Sequence, residues 1–260
     1  MKLKYNIIPL SLSVILLTGC AFFGKEEDKT RDWTAQRLYN EAKSQMQNGN
    51  LETAIDYYEK LESRYPFGVY SQQAQLDVAY AYYKYDEPAL AIAAAERFIK
   101  LHPRHPTVDY AYYLKGLVYY SEGESLVDRF ISRDRSRRDP GAARQAFDAF
   151  SELVRRFPDS RYAEDAAQRM VYLKNTLAQH ELHVANYYMR RGAYVAAANR
   201  ARYVVENYQR TPAVPDALLV MAKAYKVMGL DDLASDAVRV LRHNYPEHEG
   251  IAEVENLKVE

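Results

Sequence analysis

Apolar positions in this chain recur at helical spacing between short breaks rich in glycine, proline and asparagine. The first such segment, Trp33 to Gln47, follows two candidate N-caps, Asp32 and Thr34, and ends at the turn Asn48-Gly49-Asn50. Leu51 to Ser63 forms the second. A third lies between Gln72 and the turn Asp86-Glu87-Pro88, whose proline opens a fourth that closes at Pro103. A fifth begins after Pro106, and Gly141 to Arg156 makes a sixth. Between Arg161 and Arg191 there is neither glycine nor proline. That stretch predicts a single helix of about 30 residues, with a weak point near Asn175. Tyr194 to Asn207 and two helices within Pro215 to Pro246 complete the set, and the tail 247–260 reads as a short cap or a frayed end.

The breaks themselves are periodic. An aromatic residue, usually followed by proline, stands at Tyr65, His102, Phe157, Tyr208 and Tyr245, at intervals of 37, 55, 51 and 37 residues. Proline cannot continue a helix, so this punctuation predicts stacked helical repeats rather than one central core. Within each repeat small residues sit where two helices would cross closely (Ala42, Ala54, Ala79, Ala91, Gly116, Ala146, Ala197, Ala201). Large ones (Tyr58, Tyr82, Phe98, Tyr119, Phe150) sit beside them. This alternation resembles the tetratricopeptide (TPR) repeat. The expected fold is all-α, a TPR-like solenoid of about five helix pairs. Repeats 1 and 2 occupy 32–103, repeat 3 104–158, repeat 4 159–212, and repeat 5 with the tail 213–260. The two long intervals carry surpluses of 18 residues, roughly Glu122 to Asp139, and of 14, absorbed as about four turns of the long helix.

The first 19 residues alter the picture of the whole chain. Lys2 and Lys4 precede an apolar run, Ile7 to Leu17, too short to span a bilayer, and the stretch ends in Leu-Thr-Gly-Cys. Cys20 is the only cysteine. This arrangement resembles a bacterial lipobox, so 1–19 reads as a signal peptide and Cys20 as a lipidated, membrane-anchored first residue. Ala21 after it implies an outer-membrane destination. Residues 20–31 read as a flexible tether. The formal charge is zero, with 35 basic and 35 acidic residues, so no overall field favours nucleic acid.

The outlier in composition is tyrosine, 24 in all. Positions two, five, nine and twelve of each first helix face the inner groove of such a solenoid. Read off, they give an aromatic trough at the N-terminal end: Tyr39, Gln73, Tyr80 and Tyr83, then Tyr110, Tyr113 and Tyr120, with Lys43 and Lys84 at its walls. Two readings stand side by side. The tyrosines pack neighbouring helices, or they receive an extended aromatic-rich peptide whose carboxylate meets a lysine. The surplus 122–139 places Phe130-Ile131 in a rim of arginines and acids, either a solvated loop or a contact knob. Arg190, Arg191, Arg200 and Arg202 form a basic cluster around the turn of repeat 4. Catalytic motifs are lacking. His180-Glu181-Leu182-His183 does not have the zinc-protease spacing, and no nucleophile–base pair stands out, so an enzyme or a cofactor is not expected.

Several longer strings go beyond a generic repeat. They are R-Y-P-F-G-V-Y-S-Q-Q-A-Q-L-D at 64–77, A-Y-A-Y-Y-K at 79–84 and H-P-T-V-D-Y at 105–110. D-R-S-R-R-D-P at 134–140 and R-R-G-A-Y-V-A-A-A-N-R at 190–200 complete them. With the lipobox they closely resemble the BamD family (also ComL or YfiO), lipoproteins of the machinery that inserts β-barrels into the outer membrane. The resemblance implies a periplasm-facing scaffold. Its N-terminal repeats receive C-terminal signals of unfolded outer membrane β-barrel proteins, on Tyr65, Phe67, Tyr70, Gln73, Tyr80, Tyr83, Tyr110 and Tyr113 with Lys84. Its C-terminal repeats dock a BamA POTRA domain through Arg190, Asn199 and Arg200 and through the surplus segment, with Phe130 and Arg135. BamC and BamE are further implied partners. The chain departs from the family in its short, proline-free tether and its C-terminal tail. A secretin pilotin and a peptidoglycan-associated TPR lipoprotein are the alternatives that share Cys20 and the repeats.

Overall fold

The computed structural model describes residues 28–122, 136 and 139–257, and among them there are eleven helices and no strand. Ten form five successive pairs: α1 (Ala35–Gln47) with α2 (Leu51–Arg64), α3 (Val69–Lys84) with α4 (Pro88–Leu101), and α5 (Val108–Glu122) with α6 (Gly141–Arg156). Then come α7 (Ala163–Arg190) with α8 (Tyr194–Asn207), and α9 (Val214–Val227) with α10 (Asp231–Asn244). Each helix packs on its sequence neighbours. First helices of adjacent pairs also touch, α1 with α3, α3 with α5 and α7 with α9, so the first helices make the inner wall. This is the expected all-α, TPR-like solenoid.

The reasons are local. Thr34, not Asp32, caps α1, its hydroxyl accepting from the Arg37 amide, and Pro88 occupies the first turn of α4. α3 opens at Val69, three residues earlier than the periodicity suggests, because Gly68 takes a left-handed φ of 106° that ends the loop there. Small residues permit the close crossings. A Cβ on Gly116 would lie 2.5 Å from the wholly buried ring of Phe150, and Ala42, Ala54, Ala79 and Ala91 are all buried. α7 runs 28 residues without interruption at Asn175, so the weak point is not realised; the Thr176 hydroxyl turns back onto the Tyr172 carbonyl within the helix. α7 belongs to two apolar clusters. Leu173 joins the one built on Phe98, Phe150 and Leu153, while Ala178, Leu182 and Ala185 join the one built on Val204, Leu218 and Leu241.

Both ends are finished by docking. The tail forms α11 (Gly250–Glu255), which buries Ile251 and Val254 against the last pair, and the Lys226 ammonium caps it on the Val254 carbonyl at 2.6 Å. At the other end the expected tether is tied down earlier than its charged composition suggests. Arg64 donates to Asp28, to the Thr30 carbonyl and to the Thr30 hydroxyl, and Thr30 is buried. Trp33 packs on Tyr57 at 5.5 Å beneath the Arg37 guanidinium, and the Tyr65 hydroxyl donates to the Trp33 carbonyl. Cys20, Phe130 and Arg135 lie outside the described residues.

Candidate functional site

The N-terminal trough is built on two Tyr–Asp locks between first helices. From α1, the Tyr39 hydroxyl donates to Oδ2 of Asp77 on α3 at 2.9 Å, while Gln73, one turn earlier on α3, donates to Oδ1 at 3.0 Å. From α5, the Tyr113 hydroxyl donates to Oδ2 of Asp165 on α7 at 2.6 Å, and Arg169 Nε meets the same oxygen at 2.6 Å. The electrostatics of the two locks differ. Burial pushes the Asp77 carboxyl above the ordinary range, with Gln73, Tyr39 and Lys43 only partly offsetting it. The Arg169 hydrogen bond holds Asp165 below that range. The Tyr113 phenol, by contrast, is pushed up to about 12, first by burial and then by Asp165.

Between the locks the rings pack in three groups. Tyr39 leans on Tyr70 at 5.6 Å, and Tyr80 on Tyr83 at 6.3 Å. Tyr110 and Tyr113 both lie on Tyr162, the second stacked at 4.7 Å and 15°. Of the expected trough residues, Tyr70, Tyr80, Tyr83, Tyr110 and Tyr113 all pack on the apolar clusters and, like Gln73, are only partly buried. Lys84 is exposed at the end of α3, and the Lys43 ammonium lies 5.9 Å from the Tyr39 ring. Tyr65 and Phe67 belong instead to the α2–α3 corner, where Tyr65 holds the N-terminal strap and Phe67 projects into solvent. The residues that organise the trough, Asp77, Asp165, Tyr162 and Arg169, escape a reading of groove positions alone. Their one signal is i,i+4 spacing, Gln73 to Asp77 and Asp165 to Arg169.

The C-terminal basic cluster is less uniform than its sequence suggests. Glu181 on α7 is 1% exposed, yet it is not solvated by water but by two guanidinium groups, Arg144 from α6 and Arg200 from α8, each at 2.8 Å. The glutamate of the H-E-L-H string is thus an interhelix tie, and its His180 donates from Nδ1 to the Ser136 carbonyl at 2.8 Å. Asn199 accepts from Arg202, and Arg190 is exposed at the end of α7. Arg144, Tyr188, Asn199, Arg200 and Tyr203 line an open cleft of about 500 Å³ over this tie.

A family model described as an outer membrane lipoprotein family, YfiO, matches residues 31–241. The chain belongs to the YfiO family. The YfiO match takes in every described trough residue and both arginines on Glu181. Similar curated proteins carry the name outer membrane protein assembly factor BamD. The one from Neisseria meningitidis serogroup A is 47% identical over 94% of this chain and 92% of its own. That from Vibrio cholerae is 39% identical over 93% and 99%, and that from Haemophilus influenzae 34% over 93% and 91%. Among solved structures the YfiO-family chain is similar to the TPR domain of P58(IPK), at a TM-score of 0.41 and 14% identity over 85% of this chain and 54% of that one.

Proposed function

We propose that this YfiO-family chain is a non-enzymatic assembly factor for outer membrane proteins, lipidated at Cys20, held at the outer membrane and facing the periplasm. In this reading it receives unfolded β-barrel substrates at one end and docks the insertion machinery at the other. The observation that carries the substrate end is the pair of Tyr–Asp locks. They hold Tyr39 and Tyr113, on either side of Tyr80 and Tyr83 in the row of first helices, before any ligand arrives, so an extended peptide loses less free energy to ordering the receptor. A terminal aromatic stacks on the half-exposed faces of Tyr80 and Tyr83, next to Tyr70 and Tyr110. Its carboxylate reaches Lys84 rather than the floor, where Asp77 would repel it. At the far end Arg190, Asn199 and Arg200 face a BamA POTRA domain, to whose binding Phe130 and Arg135 of the surplus segment also contribute, and BamC and BamE complete the assembly. The resemblance of the strings at 64–84 and 190–200 supports both assignments.

Two experiments test this. Depleting the protein should lower the level of folded porins in the outer membrane; unchanged levels would defeat the assembly reading. A photoreactive group at Tyr80 should capture a peptide ending in an aromatic residue with a free carboxylate. No adduct there, with substrate still captured elsewhere, would move the receptor site out of the trough.

A further inference from the structure

The corners that close the five helix pairs are equivalent positions, and four of them are built alike. In each, the residue three after the punctuating aromatic donates its amide to the aromatic's carbonyl, and a second bond of the same span follows: His105 to His102 then Val108 to His105, Ser160 to Phe157 then Ala163 to Ser160. The same double turn occurs at Thr211 and Val214 and at His248 and Ile251. The outermost residue of these four corners is charged and exposed: Arg104, Asp159, Arg210 and Glu247. The first corner has neither bond. Gly68 is left-handed there, and the matching residue is Phe67, 91% exposed, followed by Val69 at 80%. Folding does not call for a phenylalanine at this place, since a side chain 91% exposed buries almost nothing.

What lies beside it suggests the occupant. Arg64, three residues before Phe67, grips Asp28 and Thr30, so the N-terminal strap leaves the solenoid at this same corner. Asp28 lies only eight residue steps from Cys20, a contour of at most about 29 Å. The strap also carries two exposed cations, Lys29 and Arg31. We infer that the Phe67–Val69 corner is a membrane contact, dipping into the surface of the bilayer that holds the chain's own lipid anchor. This rests on the proposed lipidation of Cys20. The anchor supplies a high local concentration, so two apolar side chains with flanking cations suffice where they could not recruit a free protein. Contact would fix which end of the solenoid lies next to the membrane.

The test uses the full lipidated chain in vesicles of phosphatidylethanolamine and phosphatidylglycerol. Phe67→Trp in a Trp33→Phe background makes position 67 the only indole. The expected result is co-flotation with the vesicles, a blue-shifted emission, and loss of more than half of it when brominated acyl chains are included. In the otherwise native chain, a photoreactive aromatic at 67 should label lipid. Flotation without quenching overturns the contact and leaves the anchor standing; failure to float overturns both. Protection of the indole by an aromatic-ending peptide would also overturn it, assigning Phe67 to the trough.

Discussion

Arg200 donates from Nη1 to Oε2 of Glu181 at 2.8 Å, and Arg144 meets the other oxygen of the same carboxylate at the same distance. Three consecutive helices, α6, α7 and α8, are therefore tied through one buried charge. Either arginine alone still neutralises Glu181. Both are about half exposed, so solvent screening keeps each single loss small. Arg144→Ala and Arg200→Ala should each cost about 1 kcal/mol, and the double variant about 3 kcal/mol, more than the sum, because only then is the carboxylate buried without a partner. Urea denaturation of the four proteins measures this directly. The same geometry bears on interface mapping. Arg200→Glu sets a second carboxylate against Glu181, so any loss of partner binding has to be compared with its melting curve.

Gly116→Ala should destabilise in spite of alanine's better helix propensity. The new methyl group would lie 2.5 Å from a ring that has no room to move, since Phe150 is wholly buried. Overpacking of this kind costs about 1–3 kcal/mol, and the propensity gain of roughly 1 kcal/mol offsets only part of it. A lowered urea midpoint with unchanged slope is the expected outcome.

Asp77 gives the trough a pH dependence. Burial raises its folded-state value, so this group's contribution to stability is full below the unfolded carboxylate value of about 3.9 and is lost as pH rises through the raised one. Asp77→Asn keeps an acceptor for the Tyr39 hydroxyl and removes the charge. Its melting temperature should exceed that of the native chain by more at neutral pH than in mild acid. Thermal melts at two pH values decide it, and a difference that grows on acidification contradicts the assignment.

Arg64→Ala should release the strap without unfolding the solenoid. Asp28 and Thr30 lose their shared donor, and Lys29 and Arg31 become open to trypsin. Limited proteolysis read by mass spectrometry should show faster cleavage at these two sites, with little change at sites inside the helices.

The repeats were legible because their signals are local and redundant. Proline after an aromatic, a glycine or alanine at each crossing, and the lack of either breaker from 161 to 191 each report on one or two turns of chain. The locks were not legible, because Asp77 and Asp165 look like ordinary solvated helix charges until α1, α3, α5 and α7 are set side by side. The strap reads as tether for a similar reason. Its charges are unremarkable until Arg64, more than thirty residues on, comes round to meet Asp28. Arg200 shows the same limit from the surface side. A surface arginine in a basic cluster reads as free for a partner, whereas half of its capacity is already committed to Glu181.

α7, at 28 residues about 42 Å long, is the one helix with buried residues in both the apolar cluster around Phe150 and the one around Leu241. The two ends of the solenoid are thus not hinged at mid-chain but mounted on a single beam. A load applied to the trough side, such as the pull of a substrate being drawn away, is delivered as a tilt of that beam at the α8 cleft. Slack in the joint would have to come from melting a turn of α7, and its uninterrupted course past Asn175 leaves no ready place for that.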